Sequence, residues 1–369
     1  MSFSTRTRHA HLWGLPYILD RLWALRAARS SRPAHILFAI ADHYEPDFGG
    51  PSASVALERV RRWQKDYPKM ASGFVDADGR PPRHTFFYPA ETYEPSHLDG
   101  LRELVEQGFG EVEVHLHHDN DTSDGVRKTL EGFRDTLASR HGLLSRDSDG
   151  RTRYAFVHGN WALDNSRADG RFCGVNDEID ILIQTGCYAD LTMPAVPDSS
   201  QSRMVNTIYY AVDDPCRPRS HDRGTRVAVG GSAPANSLLM IQGPLGLAWS
   251  TGGAFRPTLE NGAIDRSVGH HPTLERFGRW LRAGVSVAGR EDWIVVKIYT
   301  HGAPEPNADV LLGPVMRRFH EEILHHFNDG IRWQLHYVTA RELANIVLAA
   351  EAGERGNPGE YRDYRYRRA

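Results

Sequence analysis

The chain has few cysteines and no long hydrophobic run, and each of these deficits argues against certain classes of protein. Three cysteines in 369 residues, without C-x-x-C spacing, argue against a disulfide framework or a zinc ribbon. The apolar stretch after Leu12 is interrupted by Pro16 and Asp20, so it is too polar to span a membrane. It also lacks the apolar core and small-residue cleavage site of a secretory signal. We therefore expect a cytoplasmic protein in a reducing compartment.

The chain also lacks an excess of charge of either sign. It has 44 Lys and Arg against 47 Asp and Glu, and its net charge of −3 gives no reason to expect nucleic acid as a partner. No GxGxxG or GxxxxGK[ST] pattern follows a strand, and no GxSxG occurs. The sequence therefore predicts neither a nucleotide-phosphate loop nor the nucleophile elbow of a serine hydrolase.

What the sequence does contain is a regular alternation of short β-rich apolar runs and helical periods. Strands are predicted at residues 35–42, 83–89, 111–118, 154–160, 188–194, 293–300 and 333–340. Such alternation predicts parallel strands joined by right-handed crossovers, and thus an α/β fold. We expect a distorted barrel of seven to eight β/α units over residues 35–352. A β-hairpin insertion is predicted at about 202–235, and a polar surface tail at 353–369.

Residues 1–34 are predicted to form an N-terminal extension with an amphipathic helix over 17–29. In the plainer interpretation this helix packs on the domain or on a partner. The alternative is a helix that lies on a membrane surface, which would associate the protein with the inner membrane. The side chains that would contact the membrane are Trp13, Leu19, Leu22 and Trp23.

Polar residues suited to catalysis or metal binding stand at the carboxyl ends of the predicted strands. They are Asp42, His43, Glu45, His115, His117, His118, Asp119, Asp121, His158, Asn160, Trp161, Asp190 and His301. In a parallel α/β barrel these ends share one face, where barrel enzymes place their chemistry. We therefore expect these side chains to converge in space.

The segment HLHHDND, after the third strand, carries the strongest metal signal. His115 and Asp119 are four residues apart, and His115 and His117 share one strand face. Imidazoles and carboxylates together predict a divalent metal, zinc first, with manganese, cobalt and nickel as alternatives. Asp42 and His43, from the first strand, would supply a further ligand and leave one carboxylate free as a base.

Two other strand ends offer substrate-binding and acid chemistry. FVHGNWALDNS presents His158, Asn160 and Trp161, which are the hydrogen-bonding groups and apolar plate of a sugar or polar-ligand site. His301 follows the apolar run IVVKIYT and precedes a glycine. A histidine at this position can protonate a leaving group at neutral pH.

In this order the motifs resemble those of the polysaccharide deacetylases in the glycoside hydrolase/deacetylase superfamily. These are metal-dependent carbohydrate esterases built on a distorted (β/α)7 barrel. AIADHYEP resembles the acid pair of the family's first motif, which implies Asp42 as the base. The second acid of that pair is replaced here, so the resemblance leaves open whether His43 or Glu45 reaches the metal.

The later motifs also resemble the family's. EVEVHLHHDND resembles its histidine motif, which implies His115 and Asp119 as ligands, with His117 as a substitute. IVVKIYTHG resembles its last motif and implies His301 as the acid. GCYADLTMP resembles its penultimate strand, with Asp190 in the pocket. The arginine loop expected at FVHGNWALDNS has no matching arginine, so this chain departs from the pattern there.

The resemblance implies metal-dependent removal of an N-acyl group from an amino sugar. Because no export signal is recognised, a nucleotide- or lipid-linked sugar precursor is the expected substrate. Two alternatives remain open at the level of sequence. One is a glycoside hydrolase that uses paired carboxylates in the same barrel mouth. The other is a barrel that binds a glycan without turnover, since a fold does not determine a function.

Overall fold

The structure is a computed structural model that describes residues 9–27, 33–249 and 257–368. The α-helices are α1 (Ala10–Ala27), α2 (Ala53–Ala71), α3 (Pro95–Glu106), α4 (Ser123–His141), α5 (Glu178–Thr185), α6 (Leu274–Ala283), α7 (Glu305–Leu311), α8 (Pro314–Phe327) and α9 (Ala340–Glu351). The strands are β1 (Ala34–His43), β2 (His84–Pro89), β3 (Gly110–Leu116), β4 (Ser145–Arg146), β5 (Thr152–His158), β6 (Cys187–Asp190), β7 (Ile208–Val212), β8 (Thr225–Arg226), β9 (Ser237–Ile241), β10 (Gly246–Trp249), β11 (Pro257–Glu260), β12 (Ala263–Ile264), β13 (Trp293–Thr300), β14 (Trp333–Tyr337) and β15 (Arg367–Arg368).

Most of the strands form one large, mostly parallel central sheet. Its order is β12-β13-β1-β2-β3-β5-β6-β9-β7-β8, and β14 pairs with the first half of β1. The strands from β12 to β9 pair in parallel, whereas β7 is antiparallel to both of its neighbours. The expected α/β fold is confirmed. Closure into a barrel stays a prediction, because this strand order does not show it.

Strand β1 is buried on both faces, as its nearly continuous apolar sequence predicts. Ile40 packs in one apolar cluster with Trp63 of α2, whereas Ala41 belongs to a separate cluster on the other side of the sheet. Side chains alternate along a strand. The next two residues, Asp42 and His43, therefore leave β1 on opposite faces.

The segment 202–235 is not an insertion beside the sheet but part of it. Strands β7 and β8 form the predicted hairpin by antiparallel pairing. Strand β7 also pairs with β9, which in turn pairs with β6. Strand β9, which the sequence pattern did not predict, joins the hairpin to the central sheet.

The C-terminal segment 353–368 was predicted as a polar surface tail, but it packs on the domain with secondary structure of its own. It contains a 3-10 turn at Pro358–Tyr361, and β15 pairs with β4. Arg362 is only 4% exposed. The ring of Tyr366 stacks on Tyr188, with ring centres 4.7 Å apart. Polar residues are buried here because partners inside the fold satisfy them.

The predicted N-terminal helix is present as α1 and begins earlier than the sequence pattern indicates. Trp13 is buried in a small apolar cluster with Val205, as the interpretation of a helix packed on the domain expects. Leu19 is exposed, and the side chains of Leu22 and Trp23 lie outside the described residues. No helix in the described ranges combines the length and the apolar character that a membrane span requires.

Candidate metal centre

The candidate site lies at the carboxyl edge of four neighbouring strands, β13, β1, β2 and β3. The strand register pairs Asp42 with Thr300 and Pro89 with His115, so the four strands end side by side. Residues that directly follow parallel strands share one edge of a sheet. The chain segments brought together are those that carry Glu45, Glu91, His117 and His301.

The carboxylate of Glu45 lies at the centre of a group of imidazoles. Its Oε1 is 3.1 Å from Nε2 of His115 and 3.2 Å from Nε2 of His117. Its Oε2 is 3.5 Å from Nδ1 of His301. The ring of His43 lies 4.8 Å from that of His115 and 4.7 Å from that of His301, between ring centres. Five of the residues singled out in the sequence therefore meet in one place.

Two of these rings are oriented by hydrogen bonds at their outer nitrogen. Nδ1 of His115 donates to the backbone oxygen of Val157 at 2.6 Å. Nδ1 of His117 lies 2.6 Å from a carboxylate oxygen of Glu91. Both rings thus present Nε2 to the centre of the group. Histidines that bind metals are typically held in this way, with the second nitrogen bonded to a carbonyl or a carboxylate.

The electrostatics of the group favour an ionised carboxylate among imidazoles. Burial raises the pKa of Glu45, but hydrogen bonds from His115, His117 and His301 outweigh it and hold that pKa far below its ordinary value. Burial and the neighbouring imidazoles hold the pKa of His43 well below its ordinary value, so its ring is neutral. Burial lowers the pKa of His117 too, yet its hydrogen bonds to two carboxylates raise it to about 9.

Part of this group could hold a metal ion. Ligand atoms of His43, Glu45 and His115 all lie within 4.8 Å of one another, and the three residues are buried. Two imidazoles and a carboxylate are a ligand set of catalytic zinc sites, which keep a further position for water or substrate. His117 and His301, each about one-third exposed, flank this set.

Asp42 lies on the opposite face of β1 and does not join the ligands, which corrects the expectation that its carboxylate would be free beside them. Its Oδ2 is 2.7 Å from Nε2 of His84, and its Oδ1 accepts the backbone N–H of Gly302 at 2.6 Å. The indole of Trp63 donates to the oxygen of Gly302 at 3.1 Å. Asp42 and Trp63 therefore fix the backbone that follows His301.

Residue 302 has to be glycine for this contact. A Cβ added there would lie 2.1 Å from Oδ2 of Asp42 and 2.8 Å from the ring of Trp63. No side chain fits at such distances, since carbon and oxygen atoms that are not bonded need more than 3 Å. The sequence pair His301-Gly302 thus reflects close packing of a loop on a buried carboxylate.

Three other predicted residues lie outside the ligand set. Asp119 is exposed, and its Oδ1 accepts the backbone N–H of Phe172 at 2.7 Å. Asp190 is buried and bonded to the backbone N–H and the hydroxyl of Thr192, at 3.0 and 2.6 Å. Burial raises the pKa of Asp190 to about 7. Asn160 is exposed, with a left-handed backbone at φ 54°.

Trp161 lines a cleft of about 420 Å³ that His301 also lines. The indole of Trp161 meets the ring of Tyr299 edge to face, with ring centres 6.3 Å apart. The cleft therefore opens from the imidazole group onto aromatic and aliphatic surface. Its other walls include Val196, Pro197, Asn261 and Ile264.

His158 occupies a different place from the one expected, and Glu91 was missed. His158 is fully buried beside His118 and Glu178, away from the cleft walls. Glu91 stands in a 3-10 turn directly after β2, a position shared by the other residues of the site. A carboxylate at this strand end was the available signal, but no histidine accompanies it in the sequence.

Comparisons with known proteins assign no family to the chain. No protein-family model matches the chain, and a search of curated proteins finds no match. The resemblance to deacetylases rests on the short motifs alone, and the candidate site rests on the positions of its side chains.

Proposed function

We propose that the protein is a metal-dependent hydrolase that removes an N-acyl group, such as acetyl, from an amino-sugar substrate. The observation that carries the proposal is the convergence of His43, Glu45 and His115 beside a cleft at the carboxyl edge of a parallel sheet. These residues would hold a divalent metal, which would polarise the acyl oxygen and lower the pKa of a bound water to about 7. Zinc suits the ligand set best, with manganese, cobalt and nickel as alternatives.

His117 and Glu91 are suited to accept the proton of the attacking water. The carboxylate of Glu91 orients the ring through Nδ1, and Nε2 is directed at the ligand set. This is the arrangement of an imidazole base positioned by an acid. Hydrogen bonds to Glu45 and Glu91 raise the pKa of His117 to about 9, and a metal that engaged Glu45 would remove the first of these two contributions.

His301 is suited to protonate the departing amine. Its ring lies within 3.5 Å of Glu45 and lines the cleft, so it faces both the ligand set and the space for substrate. The bonds of Gly302 to Asp42 and Trp63 hold the loop in place. A positioned acid of this kind contributes about 10²–10⁴-fold to rate.

The cleft supports a sugar as substrate. Trp161 and Tyr299 offer ring surface against which the apolar face of a sugar can pack. The expected substrate remains an amino sugar in a nucleotide- or lipid-linked precursor. Asp42 and Asp190 have their carboxylate oxygens engaged inside the protein, which disfavours a glycosidase that needs both as acid and base.

The substitution Asp42→Asn tests whether Asp42 positions the loop after His301 or acts as the general base. Asparagine keeps an oxygen for the N–H of Gly302, and its amide can donate to His84 in the ring's other tautomer. We expect this variant to keep activity within about tenfold of the parent, since loss of a general base costs about 10²–10⁴-fold.

Asp42→Ala should instead lower the free energy of unfolding by about 2–5 kcal/mol, because two buried donors lose their acceptor. Steady-state kinetics and urea denaturation measure the two effects. A thousandfold loss of activity in Asp42→Asn with unchanged stability would restore Asp42 as the base.

Acetate release from N-acetylated amino sugars tests the function itself. The panel contains free, nucleotide-linked and oligomeric hexosamines, and the assay follows acetate and new reducing ends in parallel. We expect acetate without new reducing ends, loss of activity on removal of metal by a chelator, and recovery with zinc, manganese, cobalt or nickel. New reducing ends that persist with chelator would indicate a glycosidase. Tight glycan binding without either product would indicate a non-catalytic binding protein.

A further inference from the structure

A second group of ligand-type side chains lies one strand away from the candidate metal centre, and the proposed reaction does not use it. Two of its members follow β3 and end β5, one lies in the loop before α5, and one is the first residue of α5. One ligand atom from each of the four lies within 4.8 Å of the others. This second ligand group consists of His118, His158, Cys173 and Glu178.

The atoms of the second ligand group converge to separations close to those around a small ion. Nε2 of His118 and Nε2 of His158 are 2.9 Å apart, and they lie 3.2 and 3.3 Å from the same oxygen of Glu178. The sulfur of Cys173 is 3.5 Å from the other oxygen of Glu178. Ligands at about 2.0–2.3 Å around a tetrahedral zinc are themselves separated by about 3.5 Å.

Outer hydrogen bonds orient His158 and Glu178, and a carboxylate lies beside the outer nitrogen of His118. Nδ1 of His158 donates to the oxygen of Gly159 at 2.5 Å, which leaves Nε2 with its lone pair toward the group. Nδ1 of His118 is 3.6 Å from a carboxylate oxygen of Asp121. An oxygen of Glu178 accepts the backbone N–H of Asp164 at 2.6 Å. Metal-binding imidazoles and carboxylates are held by such outer contacts.

The second ligand group is closed to solvent. His158, Cys173 and Glu178 are fully buried, and the side chain of His118 is 5% exposed. A closed set of four nitrogen, sulfur and oxygen ligands is typical of structural zinc sites, whereas a catalytic site keeps an open position. We propose that the second ligand group binds a zinc ion that is structural rather than catalytic.

Such an ion would fix the irregular loop 159–177 next to the candidate metal centre. The loop contains five residues other than glycine with left-handed backbone, a conformation that is uncommon for such residues. They are Asn160, Trp161, Asp164, Asn165 and Phe172. The four ligands connect both ends of this loop to the end of β3, and the N–H of Asp121 donates to the oxygen of Cys173 at 3.0 Å.

The two sites share a wall at Gly159. This glycine accepts the hydrogen bond of His158, and a Cβ added to it would lie 2.3 Å from the ring of His117. The loop that the zinc fixes therefore also packs on an imidazole of the candidate active site and carries Trp161 into the cleft. The ion would position this wall without contacting substrate.

The same atoms can also form a hydrogen-bonded network without an ion, if His118 carries the proton between the two rings. Cobalt distinguishes the two states, because a thiolate bound to Co²⁺ gives a sulfur-to-metal charge-transfer absorption that imidazoles and carboxylates do not give. The candidate metal centre contains no cysteine, so this absorption reports the second ligand group alone.

The experiment uses the full chain produced in cobalt-supplemented medium. We expect about two equivalents of cobalt per chain, tetrahedral visible bands and the charge-transfer absorption. Cys173→Ser should lose that absorption and about one equivalent of metal, whereas Cys187→Ser and Cys216→Ser should keep both. Cys187 is a matched control because it is buried, and Cys216 tests metal held at an exposed thiol.

Two further measurements distinguish failure of this proposal from failure of the proposed function and from misfolding of a variant. His115→Gln should lose the other equivalent and retain the charge-transfer absorption, so failure of the proposed function leaves this result intact. If Cys173→Ser does not fold, X-ray absorption of the zinc-loaded parent decides, with one sulfur expected at about 2.3 Å among nitrogen and oxygen neighbours. Parent protein without zinc–sulfur bonding, or an absorption lost only in Cys216→Ser, would overturn the proposal.

Discussion

His115→Gln is expected to lose the proposed catalytic metal and to lower the proposed N-acyl hydrolysis by at least about 10³-fold. Metal-based charge stabilisation contributes several kcal/mol to the transition state, and each 1.36 kcal/mol corresponds to about tenfold in rate. Glutamine removes the lone pair of Nε2, which lies 3.1 Å from Glu45 within the ligand set. Elemental analysis and steady-state kinetics on the same preparation measure the two losses.

The matched control is His141→Gln. His141 is also fully buried, with Nδ1 2.9 Å from Asp99 and Nε2 3.0 Å from the hydroxyl of Tyr93, but it lies at the far end of α4. Its replacement should leave metal content and turnover number unchanged, whatever it does to stability. If His115→Gln kept its metal and full activity, the proposed active site would be wrong.

Arg362→Ala is expected to lower the free energy of unfolding by about 3–5 kcal/mol, the range seen when one partner of a buried ion pair is removed. The guanidinium donates to Glu342 at 3.0 Å, to Asp78 at 2.8 Å and to the oxygen of Tyr337 at 2.7 Å. It also lies 3.2 Å from Asp76, whose side chain is completely buried. Without Arg362, Asp76 and Asp78 lose this buried counter-charge, whereas Glu342 keeps its ion pair with Arg83.

Urea denaturation measures this loss, and Arg355→Ala is its control. Arg355 is an exposed arginine in the same C-terminal segment, and a substitution of this kind changes stability by less than about 0.5 kcal/mol. Equal effects of the two substitutions would show that residues 353–368 do not stabilise the domain.

Much of the sheet was predictable because apolar runs of strand length are compatible with few structures other than a buried strand. The predicted strand at 35–42 is observed at Ala34–His43, and the predicted strand at 293–300 is observed at Trp293–Thr300. Position at strand ends also placed His115 and His301 in one group. Gly313-Pro314 separates helix α7 from helix α8, because proline starts a helix more readily than it continues one.

The assignment of roles depended on which way each side chain points. Asp42 and His43 are neighbours on an extended strand, so alternation alone requires them to face opposite sides. The same rule separates His117, which joins Glu45, from His118, which joins Glu178. Applied strictly, strand alternation is sufficient to exclude Asp42 from a ligand set that contains His43.

The α/β class, the parallel strands and the strand ends at which chemistry collects follow from the amino-acid sequence alone, because local periodicity and the geometry of parallel sheets dictate them. Three other features came only from the folded arrangement: Glu91 orients His117, Cys173 and Glu178 meet His158, and the C-terminal segment is buried. These contacts join irregular segments distant in the chain. No period or spacing encodes them, since they depend on how loops pack once the sheet has formed.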